Sequence, residues 1–263
     1  LLIEHDLFRG RIDKVQIAID RLKMFEPEEG YYLAYSGGKD SDTILALAKM
    51  AGVKFDAHYH LTTVDPPELV YHVRRHLEVI IDRPEITMWK LIQKKRMPPT
   101  RIKRYCCEYF KERGGSGRVV LTGVRAAESI KRAKRKMNEV CYKDTSKRYF
   151  HAIIDWSDDD VWQFLRQHNI SYCKLYDEGF KRIGCVMCPY SNIKKEARLF
   201  PKIAEAYRRA IIRCWEKKNS DIEGGLSKAV TRFESGEDMF NWWISGRSAK
   251  ELAEKDTSFW AYE

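Results

Sequence analysis

Six consecutive residues, Ser36-Gly-Gly-Lys-Asp-Ser41, carry two hydroxyls, a cation, a carboxylate and a glycine pair. Glycines let a backbone turn tightly and approach a ligand closely. A helix beginning behind such a turn presents unpaired N–H groups to an anion. With Lys39 adding charge, the ligand that this chemistry fits is a phosphate chain. The run is neither a G-x-x-x-x-G-K-[ST] loop nor a G-x-G-x-x-G dinucleotide loop. A surface turn with a chance glycine pair would explain neither the apolar run over residues 31–35 ahead of it nor Ile44, Leu45, Leu47 and Ala48 at helical spacing behind it.

A second set of reactive side chains is the pair Cys106-Cys107 together with Cys185-Val-Met-Cys188. Four soft ligands from two separate stretches suit zinc or an iron–sulfur cluster. Adjacent cysteines diverge and reach neighbouring corners of a larger object more readily than they wrap one ion, which favours a [4Fe-4S] cube. Gly184 frees the backbone before Cys185, and Pro189 stiffens the exit. Of the seven cysteines, Cys214 beside Trp215 reads as a small core residue. Cys141 and Cys173 read likewise, with Cys141 also open to a reactive role after the basic run. The histidines at 58, 60, 72, 76 and 168 form no recognisable metal motif, and His151 at a strand start reads as structural or substrate-neighbouring.

These residues need a scaffold, and the pattern supplies one. An amphipathic helix is expected over residues 7–25, ended by Pro27 and Gly30. Strands are expected over 31–35, 54–61, 77–81, 118–122 and 149–154, with helices near 43–50, 68–77, 88–93 and 105–113. Asp65 follows the second strand, at the edge where open α/β sheets place ligand-binding residues. Ser157 caps a helix whose first-turn acids, Asp159 and Asp160, suit its dipole. Alternating strands and helices imply an α/β, doubly wound sheet. From residue 169 the chain changes to a cysteine-bearing loop, a long helix near 195–217 and a tail holding Phe240, Trp242, Trp243 and Trp260. The expected division is 1–168, a nucleotide-binding domain with its N-terminal helix, and 169–263, a cysteine loop and helical extension. The tail aromatics read as packing rather than as a base-stacking platform.

With 44% hydrophobic residues in 263, the chain can bury a substantial core. No stretch is long and apolar enough to span a membrane, and the first residues lack a signal-peptide layout, so a cytoplasmic location is expected. The net charge of +10 fits an anionic substrate or a polyanionic partner, and equally a basic surface kept for solubility. Its densest runs are Lys131-Arg-Ala-Lys-Arg-Lys136 and the stretch from Lys94 to Arg104.

The 36–41 run resembles the SGGxDS pyrophosphate loop of the ATP pyrophosphatases and of the sulfonucleotide (PAPS) reductase superfamily. The cysteine layout is similar to that of reductases carrying a [4Fe-4S] cluster. Thr122-Gly-Val-Arg125 with Glu128, Ser129 and Arg132 is similar to the segment that surrounds nucleotide and sulfate there. His151-Ala-Ile-Ile-Asp-Trp156 with Asp160-Val-Trp162, and the stretch from Tyr176 to Pro189, resemble two further family blocks. The resemblance implies a mostly parallel sheet of the adenine nucleotide alpha hydrolase type. It also implies ATP on Ser36, Gly37, Gly38, Lys39, Asp40, Ser41, Asp65, Gly123 and Arg125, and a cluster on Cys106, Cys107, Cys185 and Cys188.

One departure steers the functional expectation. The reductases use a carboxyl-terminal cysteine, and here no cysteine follows Cys214. The sequence therefore reads as an ATP pyrophosphatase that cleaves the α–β bond to activate an acceptor for sulfur insertion, resembling the DNA phosphorothioate-modification enzymes. Lys39, Asp40, Arg125 and Arg132 are its candidate catalytic residues, with Mg²⁺ bridging the phosphates near Asp40. DNA, a cysteine desulfurase, other sulfur-modification proteins and a second copy of the chain are the partners that reading implies. The alternatives are an iron–sulfur APS/PAPS reductase and a tRNA-thiolating enzyme.

Overall fold

The computed structural model describes residues 2–6, 10–223 and 233–247. In chain order the elements are β1 (Ile3–Asp6), β2 (Gly10–Asp13), α1 (Lys14–Met24), β3 (Tyr31–Tyr35), α2 (Lys39–Ala51), β4 (Phe55–His60), α3 (Pro67–Val73), β5 (Val79–Asp82), α4 (Met88–Lys95), α5 (Tyr105–Phe110), β6 (Val119–Leu121), α6 (Ile130–Ala133), β7 (Asn138–Val140), β8 (Arg148–Phe150), α7 (Asp158–Gln167), α8 (Ile193–Leu199), α9 (Pro201–Glu223) and α10 (Gly236–Ser245). They fall into two compact units. The first takes Leu1–Leu61, Pro67–Arg83 and Arg113–Gly184, and the second Thr62–Pro66, Pro84–Glu112 and Cys185–Glu263.

The first unit is the doubly wound α/β fold that the alternating pattern implies. Its six-stranded sheet has the order β5-β4-β3-β6-β8-β7. All neighbours are parallel except β7, which pairs antiparallel with β8 at the edge. From β3 the chain winds outward one way through β4 and β5, then returns to place β6 on β3's other side. The β3–β6 pair is thus the switch point, outside whose carboxyl ends such sheets bind ligands. β3 is buried nearly throughout, as a strand covered on both faces must be.

Local chemistry sets the helix ends. Asp13 accepts from the Val15 and Gln16 amides and starts α1 there, later than the expected residue 7. The chain ahead folds as the β1–β2 hairpin, and residues 7–9 lie outside the described ones. Ser157 and Asp160 close a reciprocal capping box on α7. Asp160 also pairs with Lys14 at 2.9 Å, and these partners hold its carboxyl well below the usual range despite its burial. The long helix expected from 195 is two helices. Pro201 has no N–H to give and forces Phe200 out of helical backbone, so α8 ends at Leu199.

The second unit is helical. Tyr207, Ile211 and Cys214 of α9 pack with Leu91 and Ile92 of α4 and with Met239, Phe240, Trp242 and Trp243 of α10. The Trp243 indole N–H donates to the Pro99 carbonyl at 2.7 Å, so this ring is a core anchor. Trp260 lies outside the described residues.

Two positions give tests of this packing. Gly37 has φ +70°, and a Cβ there would stand 2.6 Å from Leu69 Cδ1 and 2.9 Å from Val73 Cγ2, whereas at Gly52 (φ +68°) it would meet open space. Gly52→Ala should cost about 1 kcal/mol for its left-handed backbone. Gly37→Ala should add about 1–3 kcal/mol for overpacking, read as a larger fall in denaturant midpoint.

His151 is fully buried, with Nδ1 hydrogen-bonded to Thr122 Oγ1 at 2.6 Å. Burial, with Arg135 nearby, pulls its pKa from 6.5 down to about 4. The unfolded chain therefore binds this proton first as pH falls. The contribution is intact above pH 6.5 and lost on the way down to 4, about 2 kcal/mol of it between pH 7 and pH 5. Urea midpoints should drop across that interval, and His151→Gln should show a shallower pH slope. An identical slope in the variant would remove His151 from the account.

Candidate functional site

Outside the carboxyl ends of β3 and β6 lies a cavity of about 850 Å³. Its wall includes Ser36, Gly38, Lys39, Asp40 and Ser41 from the first loop, and Gly123, Arg125, Glu128 and Arg132 from the second. The two loops meet with no room to spare, because a Cβ on Gly123 would stand 2.6 Å from the Asp40 carbonyl oxygen. Gly38 begins α2 without a side-chain cap. Ser41 Oγ donates to the Gly38 carbonyl at 2.8 Å, and Ser36 Oγ donates to Ser41 Oγ at 3.2 Å. The Lys39 amide donates to Tyr176 Oη at 3.0 Å, so one exposed N–H of the helix start already has a partner.

Charge in this cavity is arranged in alternation. Arg125 is 2% exposed; its Nε donates to Asp40 Oδ1 at 2.6 Å and its Nη2 to Asp158 Oδ1 at 2.9 Å. Lys39 Nζ lies 2.8 Å from the same Asp158 oxygen and 3.3 Å from Asp40 Oδ2. Partial burial disfavours the Asp158 charge, but Lys39 and Arg125 outweigh it and hold the carboxyl below its ordinary range. The Asp158 side chain is also 60% exposed, so solvent reaches this carboxylate while it holds the two cations. Arg132 pairs with Glu128, and Lys181 and Arg182 complete a basic rim. An oxyanion entering here can take over donors that carboxylates now satisfy.

Of the residues expected from sequence, Ser36, Gly38, Lys39, Asp40, Ser41, Gly123, Arg125 and Arg132 line this one cavity. Gly37 supplies the turn behind it. Asp65 belongs to the second unit, where its carboxylate accepts from the Thr62 amide at 2.7 Å and hydroxyl at 2.8 Å. Asp158, Trp162, Tyr176 and Arg182 were not singled out for this wall. Asp158 stands beside Asp159 and Asp160, whose carboxylates read as first-turn acids, and Tyr176 opens the block that runs to Pro189. Their positions depend on tertiary folding, so only the surrounding sequence blocks pointed to them.

The cysteine expectation is corrected. Among the described residues, the ligand-type side chains whose donor atoms all lie within 4.8 Å of one another are Asp42, His72 and His76, not Cys106, Cys107, Cys185 and Cys188. The thiols have other partners. Arg104 Nη2 donates to Cys107 Sγ at 3.4 Å, and Cys185 Sγ donates to Thr62 Oγ1 at 3.5 Å. The Cys106 thiol and the Arg104 guanidinium both hydrogen-bond Cys107 and lower its pKa, while that bond and burial raise Cys106. No [4Fe-4S] site follows from this arrangement.

Relatives of known and unknown activity place the fold. An uncharacterized protein of Methanocaldococcus jannaschii is 30% identical over 223 residues, 77% of this chain and 45% of its own length. An adenosine 5'-phosphosulfate reductase of Neisseria meningitidis is 34% identical over 131 residues, 48% of this chain and 49% of its own. The crystal structure of phosphoadenylyl-sulfate (PAPS) reductase from Candida auris, a phosphate complex, shares the fold with TM-score 0.51 at 18% identity, covering 64% of this chain and 87% of that one. The chain spans less than half the length of the two sequence relatives. The family match and the reductase relative overturn the reading as an ATP pyrophosphatase of DNA phosphorothioate modification and agree better with its sulfonucleotide-reductase alternative. A family model covers residues 30–191, which hold both loops and the whole sheet, and the chain belongs to the phosphoadenosine phosphosulfate reductase domain family.

Proposed function

We propose that the cavity binds an adenosine 5'-phosphosulfate-class nucleotide and that the chain acts in its reduction to sulfite. The observation that carries this is the convergence of Lys39, Arg125, Arg132 and Arg182 with the start of α2 at the switch point of a reductase-family sheet. Paired guanidinium donors suit the oxygens of both phosphate and sulfate. Binding exchanges partners: ligand oxygens replace Asp158, and where they reach it Asp40, on Lys39 and Arg125.

The reaction class fixes what else is needed. A thiolate attacks the sulfur, the sulfur–oxygen bond to the nucleotide breaks, and the nucleotide phosphate leaves. A second thiol then attacks the sulfonated thiol, releasing sulfite and forming a disulfide, so two thiols supply the two electrons. Cationic donors at the cavity stabilise charge on the departing phosphate. Among the described residues no cysteine lines the cavity, so this reading takes its attacking thiol from beyond that wall, with a dithiol or protein thiol as the reductant.

Incubation with adenosine 5'-phosphosulfate and a dithiol should release sulfite and AMP together. Arg132→Ala and Arg182→Ala should each weaken phosphosulfate binding about tenfold or more, the worth of a charge-assisted bond. Asp158→Asn should tighten it, because a competing carboxylate is gone while the helix start keeps a polar residue. Pyrophosphate release from ATP with the phosphosulfate neither bound nor cleaved would overturn the proposal.

A further inference from the structure

α2 carries the anion loop at its start, and the same first turn sends one side chain elsewhere. Asp42 is wholly buried, and its side chain meets two imidazoles from α3 and the turn that follows it. His72 Nε2 lies 3.0 Å from Asp42 Oδ1 and 3.1 Å from Oδ2, and His76 Nε2 lies 4.0 Å from Oδ1. His72 is in the last turn of α3, and the turn after it, closed by the His76 amide donating to the Val73 carbonyl at 3.1 Å, brings His76 to the same carboxylate. Their rings stand edge to face with centroids 5.0 Å apart. All three ligand-type atoms lie within 4.8 Å of one another.

We propose that Asp42, His72 and His76 form a binding site for a zinc-class divalent cation, joining α2 to the α3 segment. Two imidazoles and one carboxylate are a donor set that Zn²⁺ takes with bonds of about 2.0–2.2 Å, which put neighbouring ligand atoms about 3.3 Å apart in a tetrahedron. The separations to Asp42 of 3.0 and 4.0 Å bracket that spacing. The fourth position is open to water or to Tyr35 Oη, which donates to Asp42 Oδ1 at 2.5 Å and lies 3.4 Å from His72 Nε2.

Two independent observations single out His76. Its Nε2 is buried with no hydrogen-bond partner, a costly state that a metal bond would relieve. Its other nitrogen, Nδ1, lies 3.8 Å from Glu78 Oε1, as the outward nitrogens of ligating histidines commonly face a carboxylate. A hydrogen-bonded Asp42–His72–Tyr35 post without metal would explain the first contact but not the orphaned nitrogen.

The test uses the whole chain, stripped with chelator and with its thiols alkylated so that cysteines cannot bind metal. Zn²⁺ titration should show one tight equivalent and a rise in Tm, and Co²⁺ should give tetrahedral nitrogen–oxygen absorption without a thiolate charge-transfer band. His76 Nε2 has no hydrogen bond to lose in the metal-free fold, while its ring meets Tyr35 and His72 and its Nδ1 faces Glu78. His76→Gln should therefore lower the metal-free Tm only by what those contacts supply, yet lose the Zn²⁺-induced rise in Tm and bind Zn²⁺ at least tenfold more weakly, and Asp42→Asn should weaken it also. Zn²⁺ stoichiometry and Tm response unchanged in His76→Gln, or no binding after alkylation, would overturn the site. Phosphosulfate binding in the same samples reads the anion cavity separately, so either assignment can fail alone.

Discussion

A guanidinium withdrawn almost wholly from water organises the first unit. Arg125 is 2% exposed, and a charge so placed is tolerable only with its donors satisfied. Its three partners come from two segments: Asp40 in α2, and the start of α7, which gives Asp158 and, just before it, the Trp156 carbonyl. The second loop therefore cannot shift without breaking ionic contacts to two helices. Lys39 joins the same carboxylates from the other side. The site is a lattice of opposite charges, held in register before any ligand arrives.

That lattice stands where it does because of strand order. Pairing of Tyr32 with Val120 and Leu33 with Leu121 sets β6 beside β3, so the loops leaving both strands emerge side by side. Gly123 then lets the backbones touch at a distance no side chain would permit. Topology supplies the neighbourhood, glycine the closeness and the ionic contacts the rigidity.

Much of this was legible in the sequence, for reasons tied to local chemistry. The apolar run over residues 31–35 and the Gly-Gly turn declare a strand and a helix start within a few residues of each other. Ser157 with Asp160 declares its own helix. The misreadings share a different cause. Cysteine spacing gives the order of thiols along the chain but not the distances between them, and Arg104 and Thr62 proved to be thiol partners. Asp42, His72 and His76 are thirty residues and more apart at their widest, with no motif to join them, and β4 and the turn after it had to be built first.

The Tyr176 hydroxyl on the Lys39 amide has a consequence for selectivity. An amide already bonded to a hydroxyl offers an incoming oxyanion an exchange of partners, not a fresh bond, and the net enthalpy of that exchange is small. The helix start therefore contributes less to discrimination than its geometry alone would imply. Discrimination shifts to the side-chain cations, whose present partners are full negative charges. Such a cavity weighs visitors by how much charge they bring and how widely they spread it. On the proposed function, a compact dianion or an extended phosphosulfate should compete well there, and a neutral nucleoside hardly at all.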